Sequence, residues 1–454
     1  MSVVQQSLEL AKQTVWPVDR IKDHVSKIGS GITPSGGASS YLDTGIPLLR
    51  SQNVHFDGLR LDDVAYIAED THEEMSGTRL RARDVLLNIT GASIGRCAFV
   101  PDGFGEGNVN QHVCIIRPGA KLNYKFLTYC LAAPWGQDQI FSSFTGASRQ
   151  GLGQRDLGEI QVPLPPPSEQ QRIAAYLDAS CAVIDAAVAT KRRQLETLDV
   201  LADSLIHRAV TYGLDGRVAT KPSGLDWLPN VPGHWDIRQI KRRCALLRGK
   251  FTHRPRNDPA LYDGEYPFVQ TGDITAAEKY ILSYSQTLNE LGLSVSKMFP
   301  KGTLVMSIAA NVGDVAILDF EACFPDSMVG LVPDHNTNLD YLYYLMRAMK
   351  GIMLRCAVLT TQLNLNYVRI GTNFAPFPPK AEQEEIARFL NTKLAEVKRI
   401  VIGIEKQIAT LTAYRRSLIH ECVTGQRRIT DADAARTKSA YSRQTTTHPN
   451  EHSP

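Results

Sequence analysis

Apolar residues recur about every 3.5 positions through two long stretches of the chain, each beginning just after a run of prolines. The first carries Ile173, Leu177, Ile184, Val188, Leu195, Leu198 and Leu205. The second carries Ile386, Leu390, Val397, Val401, Ile404, Ile408, Leu411 and Leu418. From Val397 to Leu411 the spacing is a strict alternation of four and three, the seam of a coiled coil. The pattern predicts two amphipathic helices, over 168–212 and 381–425. Prolines before each start prevent backward extension, and Glu169 and Glu382 complement the helix dipole. Ser168 with Gln171 reads as a capping box, and Gly213 and Gly425 mark the stops.

The two stretches belong to one internal repeat. "PPPSEQQRIAAYL" at 165–177 returns as "PPKAEQEEIARFL" at 378–390. Leu157 to His207 aligns without a gap onto Ile370 to His420, placing Gly158 on Gly371, Pro163 on Pro376, Gln170 on Gln383 and "SLIH" on "SLIH". Upstream the halves match more loosely: "IPLLRSQNV" (46–54) with "YPFVQTGDI" (266–274), and "RDVLLNITGASIG" (83–95) with "GTLVMSIAANVG" (302–313). Each half therefore reads as a mixed α/β (α+β) head, a proline-marked turn and a long helix. The expected boundaries are heads at 15–165 and 233–379, a linker at 213–232 and a polar, disordered tail at 426–454. Antiparallel pairing of the helices would bring the end of the first to the second head and the end of the second to the first. The expected whole is two heads held apart by a rod of roughly 60 Å with approximate twofold symmetry.

Composition adds bounds. At 454 residues, two or three domains are expected. No apolar run approaches a membrane span and the N-terminus lacks a signal-peptide core, so a cytoplasmic protein is expected. The eight cysteines include no CxxC pair, and no His/Cys cluster has zinc spacing, so reduced thiols and no metal site are expected. A net charge of +3 conceals one basic stretch, "RQIKRRCALLRGKFTHRPR" at 238–256, with eight Lys/Arg and no acid. It fits docking to a polyanion, or a solvated face.

Catalytic motifs are missing. There is no Asn/Asp-Pro-Pro motif to hold a flipped adenine, no GxxxxGK[ST] phosphate loop and no HExxH. "DGFGEGN" (102–108) and "TGASIGR" (90–96) read as turns between strands. No catalytic residue is assigned: the chain binds and directs.

The "PLPPPSEQQRIAAYLD" and "PFPPKAEQEEIARFLN" junctions, "WLPNVPGHW" at 227–235 and the closing "SLIHECVTG" resemble the DNA-specificity subunit of Type I restriction–modification systems, over the chain up to about residue 428. The resemblance implies two target-recognition domains, each reading one half of a bipartite asymmetric site in double-stranded DNA. It implies helices that dock two copies of an adenine-N6 methyltransferase (modification) subunit, with two restriction subunits able to join for cleavage. It implies no cofactor in this chain: S-adenosylmethionine belongs to the methyltransferase subunit, and ATP and Mg to the restriction subunit. The alternatives are a head with its own methyltransferase or nuclease activity, and a coiled-coil scaffold whose two heads bind proteins.

Base readout needs Arg, Asn, Gln, Ser and Thr on groove-facing loops, while Lys and Arg hold phosphates. In the first head the candidates are Arg50, Gln52, Asn53, Asn110, Gln111, His112, Ser148, Arg149 and Gln150. In the second they are Arg248, Lys250, His253, Arg254, Gln270, Thr271, Asp273, Thr361 and Gln362. The competing roles are local: Gln111 and Gln362 could satisfy backbone groups, and Asp273 could cap a turn. On the helices, Arg172, Arg192, Arg193, Arg415 and Arg416 are candidates for partner or DNA contact. The matched His207 and His420 read as packing or capping residues.

Overall fold

The fold is described from a computed structural model for residues 14–143, 151–309, 311–355, 358–359, 363–364 and 367–433. They divide into two units: Met1–Arg192 with Glu405–Pro454, and Arg193–Ile404.

In the first unit, strands rich in Val, Ile and Leu build a four-stranded antiparallel sheet in the order β1-β7-β4-β5, from β1 (Val25–Ser30), β4 (Val85–Asn88), β5 (Cys97–Phe99) and β7 (Val113–Pro118). A smaller sheet has β2 (Ile46–Leu49) between β3 (Ala65–Ile67), antiparallel, and β6 (Asn108–Val109), parallel. A short helix α1 (Glu69–Glu74) follows β3, and α2 (Tyr124–Ala132) packs its buried Phe126, Leu127, Cys130 and Leu131 into the core. The helix α3 starts at Pro167 and runs to Tyr212. Its Ile173, Leu177, Cys181 and Ile184 share one core with Leu418, Ile419, Cys422 and Val423 from the end of the second long helix. Arg415 meets Asp185 at 3.0 Å, and Val188 and Leu411 flank the same core, so the two segments run antiparallel in this unit.

The second unit repeats the plan. Its larger sheet runs β8-β16-β13-β14-β10, from β8 (Cys244–Arg248), β10 (Tyr280–Ile281), β13 (Leu304–Ser307), β14 (Val315–Leu318) and β16 (Met328–Pro333). Its smaller sheet runs β11-β9-β15-β12, from β9 (Tyr262–Phe268), β11 (Gln286–Leu288), β12 (Met298–Phe299) and β15 (Ala322–Cys323). The parallel pair in the smaller sheet recurs: Leu48 opposes Asn108 in one head and Phe268 opposes Cys323 in the other. A short helix α4 (Glu290–Ser294) follows β11 as α1 follows β3, and α5 (Leu339–Ala348) stands for α2. The second long helix, α6 (Lys380–Thr424), enters this core through Ile386 and Leu390, where Ile206, Ala209 and Val210 from the end of α3 meet it. Each long helix thus starts in the head that precedes it and ends in the core of the other head.

Two details differ from the sequence reading. The first helix begins at Pro167, a residue with φ preset for the first turn and no N–H to lose, so Ser168 lies inside that turn and no Ser168–Gln171 capping box marks the start. The stretch expected as a linker, 213–232, holds an antiparallel hairpin of Thr220–Leu225 with Leu228–Pro232, whose Leu228 and Val231 are fully buried. The seven described cysteines are unpaired and buried, and burial pushes the Cys97, Cys114, Cys244 and Cys422 thiols up to about 12.

α3 has an 18-residue window of mean hydropathy 1.5, apolar enough to cross a membrane, and a third of that window is buried. Its Asp178 and Asp185 pair with Lys125 at 2.5 Å and Arg415 at 3.0 Å, the behaviour of a helix packed on protein.

Candidate nucleic-acid interface

Past β2 and β9 the chain turns the same way in both heads, into a short turn at Ser51–Asn53 and a helix at Thr271–Ala276. The third residue of each turn closes it: Arg50 N donates to Asn53 Oδ1 at 2.9 Å, and Gln270 N donates to Asp273 Oδ2 at 2.7 Å. Asn53 is 1% exposed and its Nδ2 also donates to the Arg60 and Asp63 carbonyls at 2.9 Å. Asn53 thus braces its loop, and Asp273 takes the capping role that competed for it. Asn110 is 5% exposed and its Oδ1 accepts the His112 N–H at 3.1 Å, closing the turn after β6.

The remaining candidates of the first head stay nearer the surface. Gln52 is exposed and donates to Asp63. Arg50 donates to the Asp63 carbonyl at 3.1 Å, and its guanidinium lies 5.6 Å from the Tyr41 ring centroid. Gln111 is exposed with Nε2 3.0 Å from His112 Nε2, and His112 Nδ1 lies 2.6 Å from Thr90 Oγ1. In the second head Gln270 Nε2 donates to Gln286 Oε1 at 3.0 Å, and Thr271 is half-buried beside it. Ser148, Arg149, Gln150, Thr361 and Gln362 lie outside the described residues.

The basic stretch is divided by the fold. Arg238 and Arg243 pair with Asp236 at 3.4 and 3.7 Å, and Arg243 lies over Phe377. Arg248, Arg254 and Arg256 gather on one residue, Asp326: Arg248 Nε donates to its carbonyl at 3.1 Å, while Arg254 and Arg256 meet its carboxylate at 3.7 and 2.5 Å. Lys250 is exposed in the same loop, and His253 lies 3.0 Å from Asp258. One carboxylate shared by two guanidiniums, with a third on the backbone carbonyl, leaves a local surplus of positive charge on donor groups that phosphate oxygens accept from.

A cleft between head and long helices adds a residue that sequence reasoning missed. In the first unit it is lined by His55, Asp57, Arg96, Asp185, Arg192 and Arg415. The corresponding turn of the second head places Asp314 where the first has Arg96, and Asp314 pairs with Lys350 at 2.6 Å while Arg347 pairs with Asp203 at 3.3 Å. The opposed ends of "ASIGR" and "ANVGD" were the available signal. Of the helix arginines, Arg172 is occupied by Glu169 and Asp431, and Arg415 by Asp185.

Comparison with known proteins bears on both heads. The family described as "Type I restriction modification DNA specificity domain" matches residues 24–197 and again 233–409. The Type I restriction enzyme MjaIX specificity subunit of Methanocaldococcus jannaschii is 22% identical over 431 residues, covering 91% of this chain and 94% of that protein. The EcoKI specificity subunit of Escherichia coli is 21% identical over 406 residues, covering 86% and 84%. A solved structure, described as bearing on complex assembly and conformational transition of the type I R-M system, shares the fold with a TM-score of 0.69 at 16% identity, covering 90% of this chain and 97% of that one. With one domain pattern matched over most of both halves, the chain belongs to the Type I restriction–modification DNA specificity family and carries its domain twice.

Proposed function

We propose that the chain is the non-catalytic DNA-reading subunit of a Type I restriction–modification complex in the cytoplasm, each head reading one half of a bipartite asymmetric site. The observation that carries this is a duplicated scaffold with diverged loops: the shared strands keep their order, while the position of Arg96 in the first head is held by Asp314 in the second, and that of the neutral "GITPSGGASS" (31–40) by the basic "GKFTHRPRND" (249–258). Two alike frames with unlike surfaces suit two unlike half-sites. Of the candidates, Gln52, Gln111, Thr271, Arg248, Lys250 and Arg254 keep the exposure or charge that DNA contact needs.

The long helices are the proposed dock for two adenine-N6 methyltransferase subunits, which two restriction subunits can join. In the second unit Val200 and Ile402 are 70% and 53% exposed, apolar surface that the helices' own pairing leaves uncovered. S-adenosylmethionine, and ATP with Mg, are assigned to those partners. The test is reconstitution with labelled S-adenosylmethionine and DNA. Methyl transfer is expected only when chain and methyltransferase subunit are both present; transfer by the chain alone would make it an enzyme, and no salt-sensitive DNA complex would leave the scaffold reading.

A further inference from the structure

The first head contains a polar cluster that its DNA-reading role does not use. His72 on α1 is 2% exposed, and its Nε2 is buried with no hydrogen-bond partner. A nitrogen of His72 and carboxylate oxygens of Glu69 and Glu106 all lie within 4.8 Å of one another. Glu69 stands three residues before His72, on one face of the same helix turn.

Neighbouring hydrogen bonds fix the imidazole tautomer. Asn108 Nδ2 donates to the Met75 carbonyl at 3.0 Å and to Thr78 Oγ1 at 2.8 Å. The Met75 carbonyl can only accept, so the NH2 of Asn108 faces it and Oδ1 faces His72 Nδ1. Nδ1 therefore donates to Asn108 Oδ1, and Nε2 is the ring nitrogen left buried without a hydrogen-bond partner. A ring nitrogen anchored by a carbonyl-type oxygen, with the other left without a partner, is the arrangement that orients a metal-binding histidine.

The second head serves as an internal control. The shared register sets Glu290 in the place of Glu69, Glu321 in that of Glu106, Leu293 in that of His72 and Cys323 in that of Asn108. Leu293 and Cys323 pack there in an apolar cluster with Phe251, Leu261 and Phe268. The frame closes with apolar side chains at this position, so folding alone does not require the buried histidine.

We infer that Glu69, His72 and Glu106 form a binding site for one divalent transition-metal ion, the imidazole favouring zinc-like ions over magnesium or calcium. Tetrahedral ligands about 2.0–2.1 Å from zinc are about 3.3 Å apart, a closure the two exposed glutamates can make by rotamer change, with water in the fourth position. The ion would tie α1 to the segment entering β6.

Cobalt(II) and zinc titrations of metal-stripped full chain test this directly. The wild type should bind one cobalt ion with visible d–d bands, and zinc should displace it. His72→Leu, which copies the second head, should lose that ion while keeping its metal-free melting temperature, and Glu106→Gln should bind at least about tenfold more weakly. Both variants keep the tail histidines, so adventitious binding there cancels. Equal binding by His72→Leu, or none by the wild type at millimolar metal, would overturn the site.

Discussion

The matched glutamines explain why the proline junction is written twice. Gln170 Oε1 accepts from Asn123 N at 2.8 Å, and its Nε2 donates to the Lys121 and Pro165 carbonyls at 3.0 and 2.9 Å. Gln383 repeats all three bonds, with Asn338 N, the Asn336 carbonyl and the Pro378 carbonyl at 2.8, 3.1 and 2.8 Å. Asn123 and Asn338 are themselves the N-caps of α2 and α5, so one buried amide joins each head helix to the start of its long helix. Replacing Gln383 by Leu leaves an N–H and two carbonyls without partners and should cost about 1–3 kcal/mol, read as a lowered melting midpoint. The two terminal glycines make a sharper comparison. Gly213 and Gly425 have φ near +74° and +75°, but a Cβ would come 3.2 Å from the Trp235 ring and 2.4 Å from Trp16 Nε1. Gly→Ala at either position should cost about 1–2 kcal/mol for the backbone, with a larger loss at Gly425, where Trp16 must move; equal losses would contradict the packing argument. Both glutamines and both glycines were visible as repeated letters. The inward bonds of Asn53 and Asn110 were not legible there, because a polar loop residue looks the same in sequence whether its carboxamide points outward or folds inward.

At the scale of elements, the long helices were legible because period and caps agree: the seam residues Val397, Val401, Ile404, Ile408 and Leu411 are the shielded positions of their helix. The heads were less so, since strands such as Asn108–Val109 and Ala322–Cys323 are two residues long and exist through pairing with distant segments. Near the end of α6, His420 is half-buried with an unpartnered Nδ1; burial lowers its pKa below 6.5, outweighing Asp138 and Glu421, with Arg416 acting in the same direction as burial. The unfolded chain then takes up this proton more readily than the folded one, so the contribution to stability is present above about pH 6.5 and is lost as pH falls through the lowered value. Melting of His420→Gln against wild type should therefore show a shallower acid decline, with the two curves running parallel above neutral pH.

For the whole molecule, the repeat established two heads and two helices from sequence alone, because a gapless match from Leu157 to His207 onto Ile370 to His420 has one simple structural cause. The surface that distinguishes the heads was less legible, since it depends on which loop arginines share a carboxylate. Lys250→Ala with Arg254→Ala should weaken binding to all DNA sequences alike and reduce the slope of log K against log salt by about 2; a loss confined to one sequence would make these residues base readers. Reading by two independent heads is tested by the map of methylated adenines in cells, with the native chain and with residues 45–150 exchanged for another first head. One bipartite motif should appear, with its first half alone changed on exchange. A change in both halves together, or none in either, would contradict two independent readers on one duplicated frame.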